Sequence, residues 1–246
     1  MQYCKNMAKI TKKHALYPLF EVENNKKPKK YYAFPIGGLI LKLVLLIPVW
    51  IEMVLLSIAA FFILIINWFV IIFTGKYWDT AYHFFLGFMR LQTKVGLFIM
   101  GLTDKYPGFS LSTDKQFKLD IEKPKNPNKW LAFPLLGLIV RIILLIPYFI
   151  FSNVLSNGSF VAVVISWFTV TFKSKYPESL YEFERDTLRV STAANAYLLG
   201  LKDNYPSFYI SMDHQTIKIL LIIAGALLVF SNWGDSSGGN TYNSSY

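Results

Sequence analysis

The chain has 246 residues, of which 54% are hydrophobic and 17% aromatic, and its mean hydropathy is +0.38. This composition is more apolar than that of an ordinary soluble domain and favours a membrane protein. Lys and Arg outnumber Asp and Glu by 25 to 15, a net charge of +10. No zinc-finger spacing, RNP-like strand or free basic helix accompanies this charge, so we interpret it as basic segments beside anionic lipid and expect no nucleic-acid partner. Cys4 is the only cysteine, which excludes an internal disulfide.

Residues 1–27 form a basic N-terminal segment. It contains several lysines but neither an apolar core nor a small-residue cleavage site, so it does not resemble a secretory signal peptide. Positive charge beside membrane helices is typical of the cytoplasmic side. We therefore expect a cytoplasmic N-terminus.

An internal repeat organises the rest of the chain. Identical or similar residues recur at a constant offset of 99, so the two copies align without a gap. Pairs that show this offset are Pro35 and Pro134, Pro48 and Pro147, Trp68 and Trp167, Arg90 and Arg189, and Tyr106 and Tyr205.

The composition places the boundaries of the repeats. Residues 28–112 and 127–211 form membrane repeats 1 and 2, and the polar stretch 113–126 is a basic linker. Residues 212–233 contain a last apolar run, which we interpret as a C-terminal membrane helix. The Gly-, Ser- and Asn-rich tail 234–246 is predicted to be disordered.

Each repeat opens with an apolar run, Phe34–Phe73 in the first copy, about twice the roughly 20 residues that one spanning helix needs. We therefore predict a transmembrane hairpin in each repeat, with turns near Glu52–Ser57 and Ser152–Ser159. A third, amphipathic helix follows in each copy, at Asp79–Leu102 and Glu178–Leu201. It either crosses the membrane or lies on it. An interfacial position keeps the basic segments on one side and is preferred.

The predicted fold is an all-α integral membrane protein with two tandem parallel repeats. Each repeat is a transmembrane helical hairpin plus an amphipathic interfacial helix, and a C-terminal transmembrane helix follows. The expected location is the plasma membrane, the inner membrane of a bacterium, with several crossings and a cytoplasmic N-terminus.

The recurring strings resemble a prokaryotic membrane family known only as domain of unknown function 4389. The resemblance covers both repeats and hence most of the chain, but it implies no chemistry because the family has no established activity. The motifs are Trp68-Phe69, Phe73–Tyr77 and Leu102–Phe109 in the first copy, and Trp167-Phe168, Phe172–Pro177, Tyr181–Arg189 and Leu201–Phe208 in the second.

Lys42 and Arg141 are candidate contacts for lipid or a partner. Each lies about 10 Å into an apolar helix at 1.5 Å per residue, where a cation is usually retained for a reason. Such a long side chain either snorkels to the cytoplasmic interface or binds a lipid phosphate or a partner. The sequence leaves both readings open.

Arg90 and Arg189 are the second candidate pair, on the amphipathic helices. A guanidinium group binds phosphate well because it donates two parallel hydrogen bonds. Arg189 can equally pair with Asp186 or Asp203 in its own repeat.

Six aromatic residues are predicted to anchor the helices at the membrane interface, where amphipathic rings are enriched. They are Trp68, Trp167, Tyr77, Tyr176, Tyr106 and Tyr205.

No phosphate loop, nucleophile elbow, zinc-protease motif or Cys–His arrangement occurs in the sequence, so we expect no enzyme, no cofactor and no metal. The two repeats and their long apolar faces favour a non-enzymatic accessory or structural subunit of a membrane protein complex, with lipid at its seams. Its expected partners are anionic lipids and other integral membrane proteins. A lipid or small-solute binding or transport protein is the alternative, and a membrane enzyme comes third.

Overall fold

The computed structural model describes residues 18–23, 28–114 and 116–237. The predicted N-terminal segment lies mostly outside these residues, as does the tail beyond residue 237. The elements in chain order are β1 (Leu19–Val22), α1 (Lys30–Ala33), α2 (Gly37–Thr74), α3 (Asp79–Met100), β2 (Phe117–Asp120), α4 (Leu136–Lys173), α5 (Glu178–Leu198) and α6 (Gln215–Ser237). The fold is therefore mostly helical.

A small antiparallel sheet joins the N-terminal segment to the linker. β1 pairs with β2, with Leu19 opposite Asp120 and Val22 opposite Phe117. Phe20 and Phe117 point inward and their rings pack edge to face. The prediction of an all-α chain is wrong here, because a basic, Asn- and Pro-containing linker conceals a four-residue alternating pattern, Phe-Lys-Leu-Asp, too short to stand out.

The two long apolar runs are single helices of 38 residues and not hairpins. The predicted turn residues are accommodated inside the helices, where the Ser57 hydroxyl donates to the Met53 carbonyl and the Asn157 amide donates to the Asn153 carbonyl. Such bonds one turn back satisfy a polar side chain without breaking the helix. The hairpin prediction is therefore wrong.

Both long helices begin in the same strained way. Ile36 and Leu135 have φ values of 63° and 61°, and the following residue donates its N–H two residues back, to the carbonyls of Pro35 and Pro134 at 2.7 Å. This is the rare classic γ-turn. Its recurrence shows that the repeat extends to unusual backbone geometry.

The amphipathic helices α3 and α5 form the centre of the molecule. More than half of the residues of each are buried. In contrast, only 22% of the most apolar stretch of α2 and of α4 is buried. α3 and α5 pack against each other and against the long helices, and their position at the membrane interface stays a prediction.

The two repeats are related by an approximate two-fold axis. Thr93 and Thr192 are equivalent positions, and their hydroxyl oxygens lie 3.4 Å apart, while the contact of Tyr77 with Leu199 is answered by that of Tyr176 with Met100. Near them, a Cβ added to Gly96 would meet the side chain of Leu188 at 2.7 Å. α3 and α5 therefore run antiparallel, one from each repeat.

The long helices also run antiparallel. The start of α2 meets the end of α4, where the Thr171 hydroxyl donates to the Ala33 carbonyl. The end of α2 meets the approach to α4, where Lys129 lies against Gly75. The two helix directions are opposite, so the repeats are not parallel copies along a common helix direction.

The last helix, α6, packs against α4 by close backbone contact. A Cβ on Gly225 would lie 2.1 Å from the Val154 carbonyl oxygen, and a Cβ on Gly158 would lie 2.5 Å from that of Leu221. Gly158 therefore serves helix packing and not a turn. α2 and α4 are long and apolar enough to cross a membrane, whereas the apolar part of α6, Gln215–Ser231, is too short to qualify. The predicted C-terminal transmembrane helix is not supported.

Candidate functional site

The end of the bundle where α4 begins holds a buried ion pair, which we call the Arg141 junction (Arg141, Asp203, Tyr197, Tyr77 and Leu199). Arg141 is 4% exposed and donates to Asp203 Oδ1 and to the Tyr197 carbonyl, both at 2.5 Å. Its guanidinium carbon lies 5.0 Å from the centre of the Tyr197 ring. Charge, hydrogen bonding and ring contact all hold this cation inside the protein.

Tyr77 joins the two repeats at the same junction. It follows α2 in repeat 1, and its hydroxyl donates to the Leu199 carbonyl of repeat 2 at 2.9 Å. Burial raises the pKa of the Tyr77 hydroxyl, so it stays protonated and remains a donor. The equivalent Tyr176 reaches the Met100 carbonyl in the opposite direction at 3.5 Å.

The opposite end of the bundle, which we call the Lys42 junction (Lys42, Tyr32, Phe98, Tyr176 and Glu184), has the same backbone but other chemistry. Lys42 is 2% exposed, and its ammonium group donates to the Ile99 carbonyl at 3.4 Å. It also lies 6.0 Å from the Tyr32 ring centre and 5.6 Å from that of Phe98. Two aromatic rings border this cation, and Asp104 and Glu184 attract it electrostatically, whereas Arg141 forms a close ion pair with an aspartate.

Glu184 is a fully buried acid beside the Lys42 junction. The Tyr176 hydroxyl donates to Glu184 Oε2, while Glu184 Oε1 has no hydrogen-bond partner in the described part of the chain. Burial raises the pKa of Glu184 well above its usual range, and the Tyr176 hydrogen bond and the charge of Lys42 oppose this shift only in part. The carboxyl group therefore keeps its proton to a higher pH than an exposed glutamate does.

A small opening, continuous with solvent, adjoins the Lys42 junction. Its lining includes Lys42, Tyr176, Ser166, Trp167 and Asp104. Within the described residues, no three His, Cys, Asp or Glu side chains are grouped to hold a metal ion. The junction brings one cation, Lys42, near the carboxyl groups of Glu184 and Asp104.

Arg90 and Arg189 lie on the central helices and contact the segments that cover them. Arg90 Nε donates to the Leu119 carbonyl at 2.9 Å, and its guanidinium lies 3.7 Å from Asp120. Arg189 lies 2.6 Å from the buried Asp186, which also accepts the backbone N–H of Ser211. Arg189 thus pairs with Asp186, one of the two partners that the sequence offers. Its contact with lipid phosphate stays a prediction.

Two segments of the chain, residues 37–110 and 136–209, match the family described as Domain of unknown function (DUF4389). The chain belongs to the DUF4389 family. The matched segments correspond to the two tandem copies and begin at or beside the first residue of α2 and of α4. No curated protein and no solved structure matches the chain.

The six aromatic residues predicted as interfacial anchors fall into two groups in the DUF4389 repeats. Tyr77, Tyr176 and Trp68 are buried inside the protein, so for them the prediction is wrong: contacts between the repeats enclose them. Trp167 is partly buried. Tyr106 packs edge to face on Phe98, and Tyr205 packs on Tyr197.

Glu184 is the main residue of the Lys42 junction that sequence reasoning missed. The signal was present in the repeat alignment, because Glu184 stands where the first copy has Phe85. A carboxyl group at the position of a core aromatic residue indicates a buried acid with a dedicated partner. Asp203 recurs at the offset of 99, opposite Asp104, but nothing in the spacing predicts that it meets Arg141, 62 residues away.

Proposed function

We propose that this DUF4389 protein is a non-enzymatic structural or accessory protein of a membrane, which packs through α2 and α4 against lipid and against the helices of other membrane proteins. One observation carries this proposal. The most apolar helices lie on the outside of the molecule, and the most polar one lies at its centre.

The outward faces of α2 and α4 are lined by large apolar side chains. On α2, Ile51, Leu55 and Phe62 are each at least 60% exposed, and Phe160 on α4 is 62% exposed. A soluble monomer rarely exposes a continuous apolar patch larger than a few hundred Å². The exposed apolar faces of two 38-residue helices form a patch larger than that limit. This favours lipid or an apolar protein surface around them.

The interior shows the opposite composition. α5 contains Glu184, Asp186, Thr187 and Thr192, and all four are buried. In a membrane, polar side chains are cheaper inside the protein than against hydrocarbon, because hydrogen-bond partners are found only there. The distribution is therefore the one expected of a protein with an apolar solvent.

The four basic candidates support a structural role over a lipid-transport role. Arg141, Lys42, Arg90 and Arg189 all donate to carbonyl or carboxylate oxygens of the chain. They lie at separate places in the bundle and do not converge on one cavity. Carriers of anionic lipid need convergent cations, so the geometry favours packing.

Native mass spectrometry of the protein, extracted gently from its own membrane, tests the proposal. We expect one or more protein chains to be retained at fixed stoichiometry. Phe61→Ala with Phe62→Ala, on the exposed face of α2, should lower their retention, while Lys118→Ala on the sheet should leave it unchanged. A lone chain that holds one defined lipid would contradict the accessory role and support lipid binding.

A further inference from the structure

We propose that α2 and α4 lie in the plane of one anionic membrane leaflet instead of crossing the bilayer, with the β1–β2 sheet and the linker facing water. The inference rests on the proposed function, since it requires a membrane. It goes further by assigning an orientation and a lipid chemistry to the apolar surface.

The charged sheet lies beside the middle of α3. Arg90, near the centre of α3, donates to the Leu119 carbonyl of β2, and the Tyr82 hydroxyl donates to the Ile121 carbonyl at 2.6 Å. The side chains of Lys118 and Asp120 on β2 are 60% and 63% exposed. These charged side chains face outward, and the strand that carries them is held beside the middle of α3.

The middle of α3 lies at the level of the middle of α2. The two helices are antiparallel, because Phe98 packs in one cluster with Leu46 and the Trp78 N–H donates to Asn67. Arg90 therefore lies beside the central part of α2. If α2 crossed a bilayer, the exposed charges of β2 would lie near the middle of the hydrocarbon, where ionised side chains exposed to lipid are strongly disfavoured.

The length of the two long helices also favours an in-plane orientation. At 1.5 Å per residue, 38 residues extend about 57 Å, whereas the hydrocarbon core is about 30 Å thick. Tilts within the usual range, up to about 40°, do not remove this difference. A helix that lies along the surface has no such length limit.

Lysines are present at both ends of the long helices α2 and α4. Lys30 and Lys175 lie at the end where α2 begins, and Lys76 and Lys129 lie at the end where α2 finishes, all with exposed side chains. A crossing orientation divides these charges between the two faces of the membrane, against the usual asymmetry. An in-plane orientation places all of them on one anionic leaflet, which attracts them.

The approximate two-fold axis fits this orientation. It passes between Thr93 and Thr192, and α2 and α4 are neighbours that meet at both ends. With the axis along the membrane normal, both repeats immerse their long helix in the same leaflet. The antiparallel helices α2 and α4 then have equivalent positions relative to the membrane surface.

Cysteine labelling of the full chain in sealed membrane vesicles tests the orientation. In a Cys4→Ser background, single substitutions Lys76→Cys, Lys175→Cys and Lys118→Cys mark the two ends and the sheet. An impermeant maleimide is expected to label all three from the same side of the membrane. Labelling of Lys76→Cys and Lys175→Cys from opposite sides would overturn the in-plane orientation while leaving the proposed function intact.

Phe62→Cys, on the exposed face of α2, separates the two proposals. We expect it to react only after detergent is added. Recovery of the chain in the soluble fraction, with Phe62→Cys reactive in plain buffer, would contradict the proposed function itself.

The lipid chemistry has its own readout. In nanodiscs that mix phosphatidylglycerol with phosphatidylcholine, the lipid retained on the released protein is expected to be enriched in phosphatidylglycerol. Lys76→Gln with Lys175→Gln should remove much of the enrichment. Equal retention of the two lipids by the unaltered chain would overturn the anionic assignment.

Discussion

Repeats 1 and 2 share a backbone but not a chemistry. Their long helices have the same length, and a backbone N–H binds the equivalent aspartate in each, from Lys29 to Asp104 and from Asn128 to Asp203. Caps, turns and apolar register therefore suffice to reproduce the fold. Individual buried side chains then differentiate the two halves.

Three differences separate the repeats. Arg141 is ion-paired, whereas Lys42 lies among aromatic rings. Glu184 replaces Phe85, and Gly158 replaces Ala59. α6 packs on the long helix that carries the glycine.

Arg141→Ala is expected to lower the free energy of unfolding by roughly 3 kcal/mol, because Asp203 loses its partner in a largely buried site. Lys42→Ala removes one long hydrogen bond, two ring contacts and the attraction of the ammonium group to Asp104 and Glu184, and should cost less than Arg141→Ala, about 1–2 kcal/mol. Thermal unfolding in detergent, followed by tryptophan fluorescence, measures both. Equal losses would show that the two junctions are energetically the same.

Gly158→Ala copies the residue of repeat 1 into repeat 2 and should cost about 1–3 kcal/mol. Its Cβ would meet the Leu221 carbonyl oxygen at 2.5 Å, so α6 must move away. Hydrogen exchange of α6 should increase. The reciprocal Ala59→Gly is the control, with a cost of at most about 1 kcal/mol from helix propensity and no change in α6.

Glu184→Gln is expected to change the pH dependence of stability. Burial raises the pKa of Glu184, so in the window above the unfolded value the unfolded chain has lost this proton and the folded chain has kept it. The stability of the unaltered protein therefore falls as pH rises through that window.

The neutral amide of Gln keeps an acceptor for Tyr176 and does not ionise beside Lys42. We expect the variant to gain melting temperature relative to the unaltered chain at pH 8, by about 2–4 °C for each kcal/mol recovered, and little at pH 4. A difference that is independent of pH would contradict a buried, protonated Glu184.

Ile36→Gly and Leu135→Gly should have the smallest effect, and an equal one. Each relieves a positive φ at an exposed side chain, which should stabilise the fold by at most about 1 kcal/mol after the entropy cost of glycine. Melting temperatures of the two variants provide the measurement. Opposite signs would show that the γ-turns are not equivalent.

The repeat and its family were readable from the sequence because they depend on residue identity at a fixed offset. Pro35 and Pro134 or Trp68 and Trp167 need no three-dimensional information to be aligned. The hairpins were mispredicted because Ser57 and Asn157 were read as turn residues, although each bonds to its own helix. Local composition does not distinguish these two uses of a polar side chain.

The candidate site was predictable only in part. Lys42 and Arg141 were recognisable as cations in apolar helices, but their partners were not. Asp203, Tyr197 and Glu184 reach the junctions through the packing of α5 between the repeats, and contacts of that kind have no fixed spacing.

The sequence by itself determined that the chain is strongly apolar, that it contains two copies of one unit, and that each copy carries one long apolar run followed by one amphipathic helix, because composition and periodicity are local properties. Only the tertiary structure decided which helices lie inside, how the two copies are oriented, and which charges meet. These depend on packing between residues far apart in the chain. An amphipathic helix such as α5 buries its polar residues when the surrounding elements supply their partners, and its own sequence does not say whether they will.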